Sequence, residues 1–96
     1  MIATSTYLAK RVASLRALDQ EISMLTNYAD LEPPDSAINY REAIRGLQAT
    51  RDTVARKLKE LHAVRGNAWS VQEAMNDVED AWNDVGNAVR AAIARI

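Results

Sequence analysis

The chain has no cysteine and no phenylalanine, and in 96 residues it holds two prolines, three glycines and one histidine. The lack of cysteine removes disulfides, thiolate metal sites and a cysteine nucleophile together. With so few turn residues and no long β-branched run, a sheet protein is disfavoured and an all-α chain is expected. Without phenylalanine, the core has to come from Leu, Val, Ile and Ala, with two Trp and three Tyr. No apolar run approaches the roughly 20 residues that span a bilayer. The opening MIATSTYLAKRVASL lacks a basic-then-apolar leader. A cytoplasmic location is therefore expected.

The length suits one domain with a single modest core. The net charge of −1 conceals an order along the chain: −2 over 1–35, +4 over 36–66 and −3 over 67–96. A basic middle helix between two acidic ones gives charge balance. Its basic face is diluted by those neighbours, which disfavours direct nucleic-acid binding.

Apolar residues recur at helical spacing in three stretches. The clearest is Val71, Met75, Val78, Trp82, Val85, Val89, Ala92 and Ile96. Such a stripe has to be covered by the rest of the chain or by another chain. A first helix is predicted from about 5 to 31, capped by a hydroxyl between Thr4 and Thr6, with a seam at Leu8, Arg11, Leu15, Leu18, Ile22, Leu25 and Ala29. Pro33 ends it, and Asp35 or Ser36 is expected to cap the next helix. The second helix, about 36 to 65, has its seam at Tyr40, Ile44, Leu47, Arg51, Val54, Leu58 and Leu61. The short link makes these two antiparallel.

Around Gly66 three signals favour a second turn. Glycine can end a helix in the left-handed conformation. Ser70 and Glu73 can form a capping box. The seam also changes register after Leu58, Leu61 and Val64. The third helix then covers about 70 to 95. The fold class is an antiparallel three-helix bundle or coiled-coil hairpin. The alternative is a continuous helix through Gly66, at about 1 kcal/mol relative to Ala, giving a hairpin with one long arm that must oligomerise.

Few residues offer chemistry. His62, the only His, has Lys59 three places before it, so the Glu-x-x-His pair of a di-metal bundle is absent. No Gly-rich phosphate loop, nucleophile elbow or Ser–His–acid set is visible. No catalytic residue, metal or cofactor is assigned, and a non-enzymatic protein is expected.

Seven residues are candidates for partner docking. Arg11 and Arg51 occupy seams, where an unpaired buried charge costs several kcal/mol. They are expected to snorkel or to pair, with Trp82 a stacking partner for Arg51; docking to another chain is the third account. Trp69 is expected to staple the helix entry against Ala74, and Trp82 to lie in the seam. Asp77, Asp80 and Asp84 share, with Glu73, the face opposite the apolar stripe. That face is solvated, or it receives a basic partner.

Gly66-Asn67-Ala68-Trp69 followed by Val78-Glu79-Asp80-Ala81-Trp82-Asn83-Asp84-Val85 resembles the small bacterial coiled-coil proteins labelled stress-response proteins. Their C-terminal part carries a "GDAW…(V/L)EEAWDDL"-like pattern after a charged helical hairpin. The resemblance covers about 40–96. Asn67 stands where that pattern has an acid, and Pro33-Pro34 is not typical of it. The resemblance implies an all-helical cytosolic protein and carries over no functional residue.

The leading expectation is a helical interaction or scaffold protein, stress-related if the resemblance holds, that binds itself or a protein partner. The alternatives are a membrane-surface amphipathic protein, disfavoured by few aromatics and near-neutral charge, and a small inhibitor of the phage anti-defence type using its acidic face.

Overall fold

In the computed structural model, which describes residues 4–64 and 68–95, three helices lie side by side. They are α1 (Thr4–Leu31), α2 (Pro34–Ala63) and α3 (Ala68–Arg95). The near-equal lengths make a rod of 53 × 18 × 17 Å. No strand occurs among the described residues.

The first turn is set by the two prolines. Pro33 is extended at φ −58° and ψ 155°, and Pro34 opens α2, where its missing N–H costs nothing. The Pro33 carbonyl accepts from the Ala37 N–H at 2.9 Å. This corrects the expected cap: Pro33 takes the capping position without a side-chain hydrogen bond, and Asp35 lies inside the first turn. There its carboxylate suits the positive end of the helix dipole.

The second turn is also present. α2 ends at Ala63, and Val64 is extended at ψ 128°, its N–H donating to the Leu61 carbonyl at 3.1 Å. The continuous long helix is thereby excluded. The left-handed role foreseen for Gly66 lies outside the described residues, as does Ile96. Ser70 proves to be inside α3 rather than ahead of it, because the helix begins two residues earlier.

The foreseen seams are the core. Leu15, Leu18 and Ile22 of α1, Ile44, Leu47, Val54, Leu58 and Leu61 of α2, and Val78 and Val85 of α3 are buried together. Val54 and Val78 are fully buried and Leu61 is 2% exposed. Ala29, Ala43, Ala81 and Ala92 join the cluster, and their small side chains let helices approach closely.

α2 is central. It packs along both neighbours, whereas α1 and α3 nowhere bring described Cα atoms within 8 Å of each other. Close-packed helices lie 8–10 Å apart, axis to axis, so the cross-section is an open angle with α2 at its vertex. Ion pairs tie each pair of helices: Asp19–Arg51 for α1 and α2, Glu42–Arg95 for α2 and α3, Arg11–Glu79 for α1 and α3.

Leu61→Ala should therefore lower stability by about 2–5 kcal/mol in urea unfolding. Leu31→Ala, at a position 83% exposed, should change it by no more than about 0.5 kcal/mol.

Candidate functional site

Because the backbones of α1 and α3 stay apart, side chains alone close the gap between them, and they do so at one end. Arg11 NH2 donates to Glu79 Oε1 at 2.6 Å, and the Tyr7 hydroxyl donates to Glu79 Oε2 at 2.5 Å. The Arg11 guanidinium carbon lies 5.4 Å from the Trp82 ring centre and 5.8 Å from that of Tyr7. Both separations are within cation–π range. Arg11 is largely buried, and its Nε has no hydrogen-bond partner. A seam cation is thus accommodated by one carboxylate and two aromatic faces.

The charges in this clamp respond to one another. Burial, and then the hydrogen bond to Glu79, pushes the Tyr7 phenol above its ordinary value. The Tyr7 hydroxyl holds the Glu79 carboxyl below the usual range, with Arg11 adding to it against the opposing effect of burial. Burial alone would pull Arg11 down, but its bond to Glu79 contributes to a net rise.

Beyond the clamp, a groove runs between α1 and α3. Two adjoining hollows of about 500 and 250 Å³ share Glu21 and Val89. The first lies between Ala17 and Glu21 on one wall and Trp82, Gly86 and Arg90 on the other. The second has Leu47 of α2 in its lining, with Met24, Tyr28 and Ile93 beside it. Those three are 53%, 48% and 68% exposed, and the groove is most apolar at the end away from the clamp. From Ser14 to Tyr28 it is about 21 Å long, at 1.5 Å per residue. Gly86 is notable here: a Cβ built on it would meet nothing within 4 Å. A glycine inside a helix costs about 1 kcal/mol against alanine, and packing within the chain does not require it.

Of the seven sequence candidates, the structure brings Arg11 and Trp82 together. It corrects the expected stacking of Arg51 on Trp82. Arg51 instead faces α1, giving Nε to Asp19 Oδ1 at 2.8 Å and NH2 to Asp19 Oδ2 at 3.2 Å. A two-pronged bond to a carboxylate outweighs an aromatic face for a guanidinium, and Asp19 raises the Arg51 value in consequence. Trp69 is 65% exposed and already lies in the first turn of α3, so it does not precede a Ser70 cap as the expected staple against Ala74 requires. Asp77, Asp80 and Asp84 are exposed. At 100° per residue they lie about half a turn from the Trp82–Gly86–Val89–Ile93 edge, away from the groove.

Sequence reading missed Tyr7, Asp19 and Glu79, which partner the two seam arginines. The available signal was the need of each seam arginine for a carboxylate. Among the described residues no group of three or more His, Cys, Asp or Glu could hold a metal ion, and no helix is long and apolar enough to cross a membrane. No family model, curated protein or solved structure matches the chain.

Glu79→Gln should cost about 1 kcal/mol at pH 7, the low end for a hydrogen-bonded charge because the carboxylate is partly solvated. A lowered folded value makes this contribution complete above the ordinary glutamate range, about 4.3. The difference from wild type should shrink as pH falls through the lowered value, which urea midpoints between pH 2 and 7 will show. Arg51→Leu should lower stability by up to about 1 kcal/mol and leave the molecular mass in light scattering unchanged.

Proposed function

We propose that this chain is a non-enzymatic protein-docking module that receives apolar helical surface in the α1–α3 groove. The observation that carries the reading is the open groove itself. Two parallel helices with a third beneath them form three sides of a helix-lined trough, apolar inside and charged at the rim. Such a trough suits an amphipathic helix, which lays its apolar face into the groove. Met24, Tyr28 and Ile93 contribute nothing evident to the chain's own core at their exposures, yet they are grouped along one hollow. Contiguous exposed apolar surface of this kind marks interaction sites. The clamp fixes the separation of the walls at one end, so the trough is formed in advance and little ordering is needed on binding.

The acidic residues on the far side of α3 give a second surface of different character. They favour solubility and leave the trough as the docking element.

The test uses Met24→Glu and Ile93→Glu in the intact chain. Both sites are exposed, so urea midpoints should stay within about 0.5 kcal/mol of wild type. Self-association measured by light scattering, or retention of a specific host protein, should fall tenfold or more, about 1.4 kcal/mol. The same mass and the same retained proteins for wild type and both variants would remove the reading.

A further inference from the structure

We infer that the occupant of the α1–α3 groove is the same groove of a second copy of this chain, the two related by a two-fold axis running along the groove. This rests on the docking reading above and names its partner.

The lining residues fix the levels of the two walls. Ala17 and Glu21 of α1 lie alongside Gly86 and Arg90 of α3 in one hollow. Met24 and Tyr28 lie alongside Ile93 in the next. α1 and α3 run in the same direction, since each is antiparallel to α2. A two-fold axis along the groove therefore sets α1 of one copy against α3 of the other, at the same level and in the same direction.

Every pairing that results is complementary. Glu21 of one copy meets Arg90 of the second, and the reverse contact repeats it, as an isologous interface requires. Ala17 meets Gly86, small against small, which allows the helices to approach to the usual packing distance. Met24 and Tyr28 meet Ile93, apolar against apolar. Gly46 has the same free space at its Cβ but sits on the exposed side of α2, so it is the position of Gly86 in the groove that matters. The other face-to-face arrangement has its axis across the helices. Centred at the level of Glu21 and Arg90, it sets Glu21 against Glu21 and Arg90 against Arg90.

As a 53 Å rod the chain presents 6582 Å² to solvent, more than the roughly 5,500 Å² of a compact protein of 10.6 kDa; a standard interface takes about 800 Å² from each partner. The end away from the clamp supplies the apolar part of that area, and the Glu21 and Arg90 rim supplies orientation, the division of labour expected of a stable interface.

The experiment is sedimentation equilibrium on the full chain over a wide concentration range, with Glu21→Arg and Arg90→Glu measured alone and mixed. Wild type should show twice the chain mass. Each variant alone places like charges at both contacts and should dimerise at least tenfold more weakly. An equimolar mixture restores opposite charges at both contacts and should recover dimer as the heterodimer, counted by native mass spectrometry with one chain isotope-labelled. An ion pair within one chain cannot be repaired by mixing, so the mixture separates the two origins. At concentrations where both are monomeric, Gly86→Leu should keep the urea midpoint at or above wild type; at higher concentration it should weaken the dimer tenfold or more. A dimer that ignores the charge variants, or a mixture no better than its parts, overturns the inference. So does a strict monomer: if Met24→Glu and Ile93→Glu then still abolish binding of a host protein, the docking reading stands with a different occupant. If they do not, both fall.

Discussion

The structure depends on α2 being shared. Its apolar residues form a broad band rather than a narrow seam, and two helices bury their stripes against that band. Each of α1 and α3 gains more by lying on α2 than by lying on the other, so their facing edges are left with unspent surface. The open angle is the geometric result of two stripes competing for one band. Nearer the clamp those edges mix Ser14, Ala17 and Glu21 on one side with Trp82, Gly86 and Arg90 on the other, and further along they carry the exposed apolar side chains of Met24, Tyr28 and Ile93.

The clamp makes that open angle a defined one. Arg11 projects from the α1 seam into the gap, where it has little water to hydrate it. Glu79 neutralises it, Tyr7 orients Glu79, and the two rings cover its faces. A half-buried charge paired with a carboxylate can hold two elements at one spacing and in one register, the best-attested use of polar groups in helical seams. Asp19–Arg51 does the same between α1 and α2 at a more solvated site. A groove whose walls are held at one spacing is a better receiver than one whose walls drift.

Much of the fold was legible in the residues. The spacing of Leu15, Leu18, Ile22, Leu47, Val54, Leu58, Leu61, Val78 and Val85 marked the core, because burial and helical periodicity are a direct reading of side-chain chemistry. Pro33 and Pro34 marked the first turn, since they restrict the backbone wherever they occur. The caps were less legible. Ser70 looked like a cap because its hydroxyl can serve as one, but the helix starts at Ala68, and the choice between nearby starts turns on small energies. The groove was least legible. Its two edges alternate apolar, small and charged residues, so neither has a stripe, and each acquires meaning only beside the other.

What the chain alone determined is the set of three helices, their order, their turns and the faces they bury. These follow from interactions between residues a few positions apart and from the exclusion of apolar side chains from water. What only the tertiary structure decided is which charges meet and which edges are left uncovered. Arg11 and Glu79 are 68 residues apart in sequence, as are most pairs that line the groove, and no local spacing encodes such a distance. Their meeting depends on both helices lying on α2 at one level, and that level is set by packing over the whole length of the bundle.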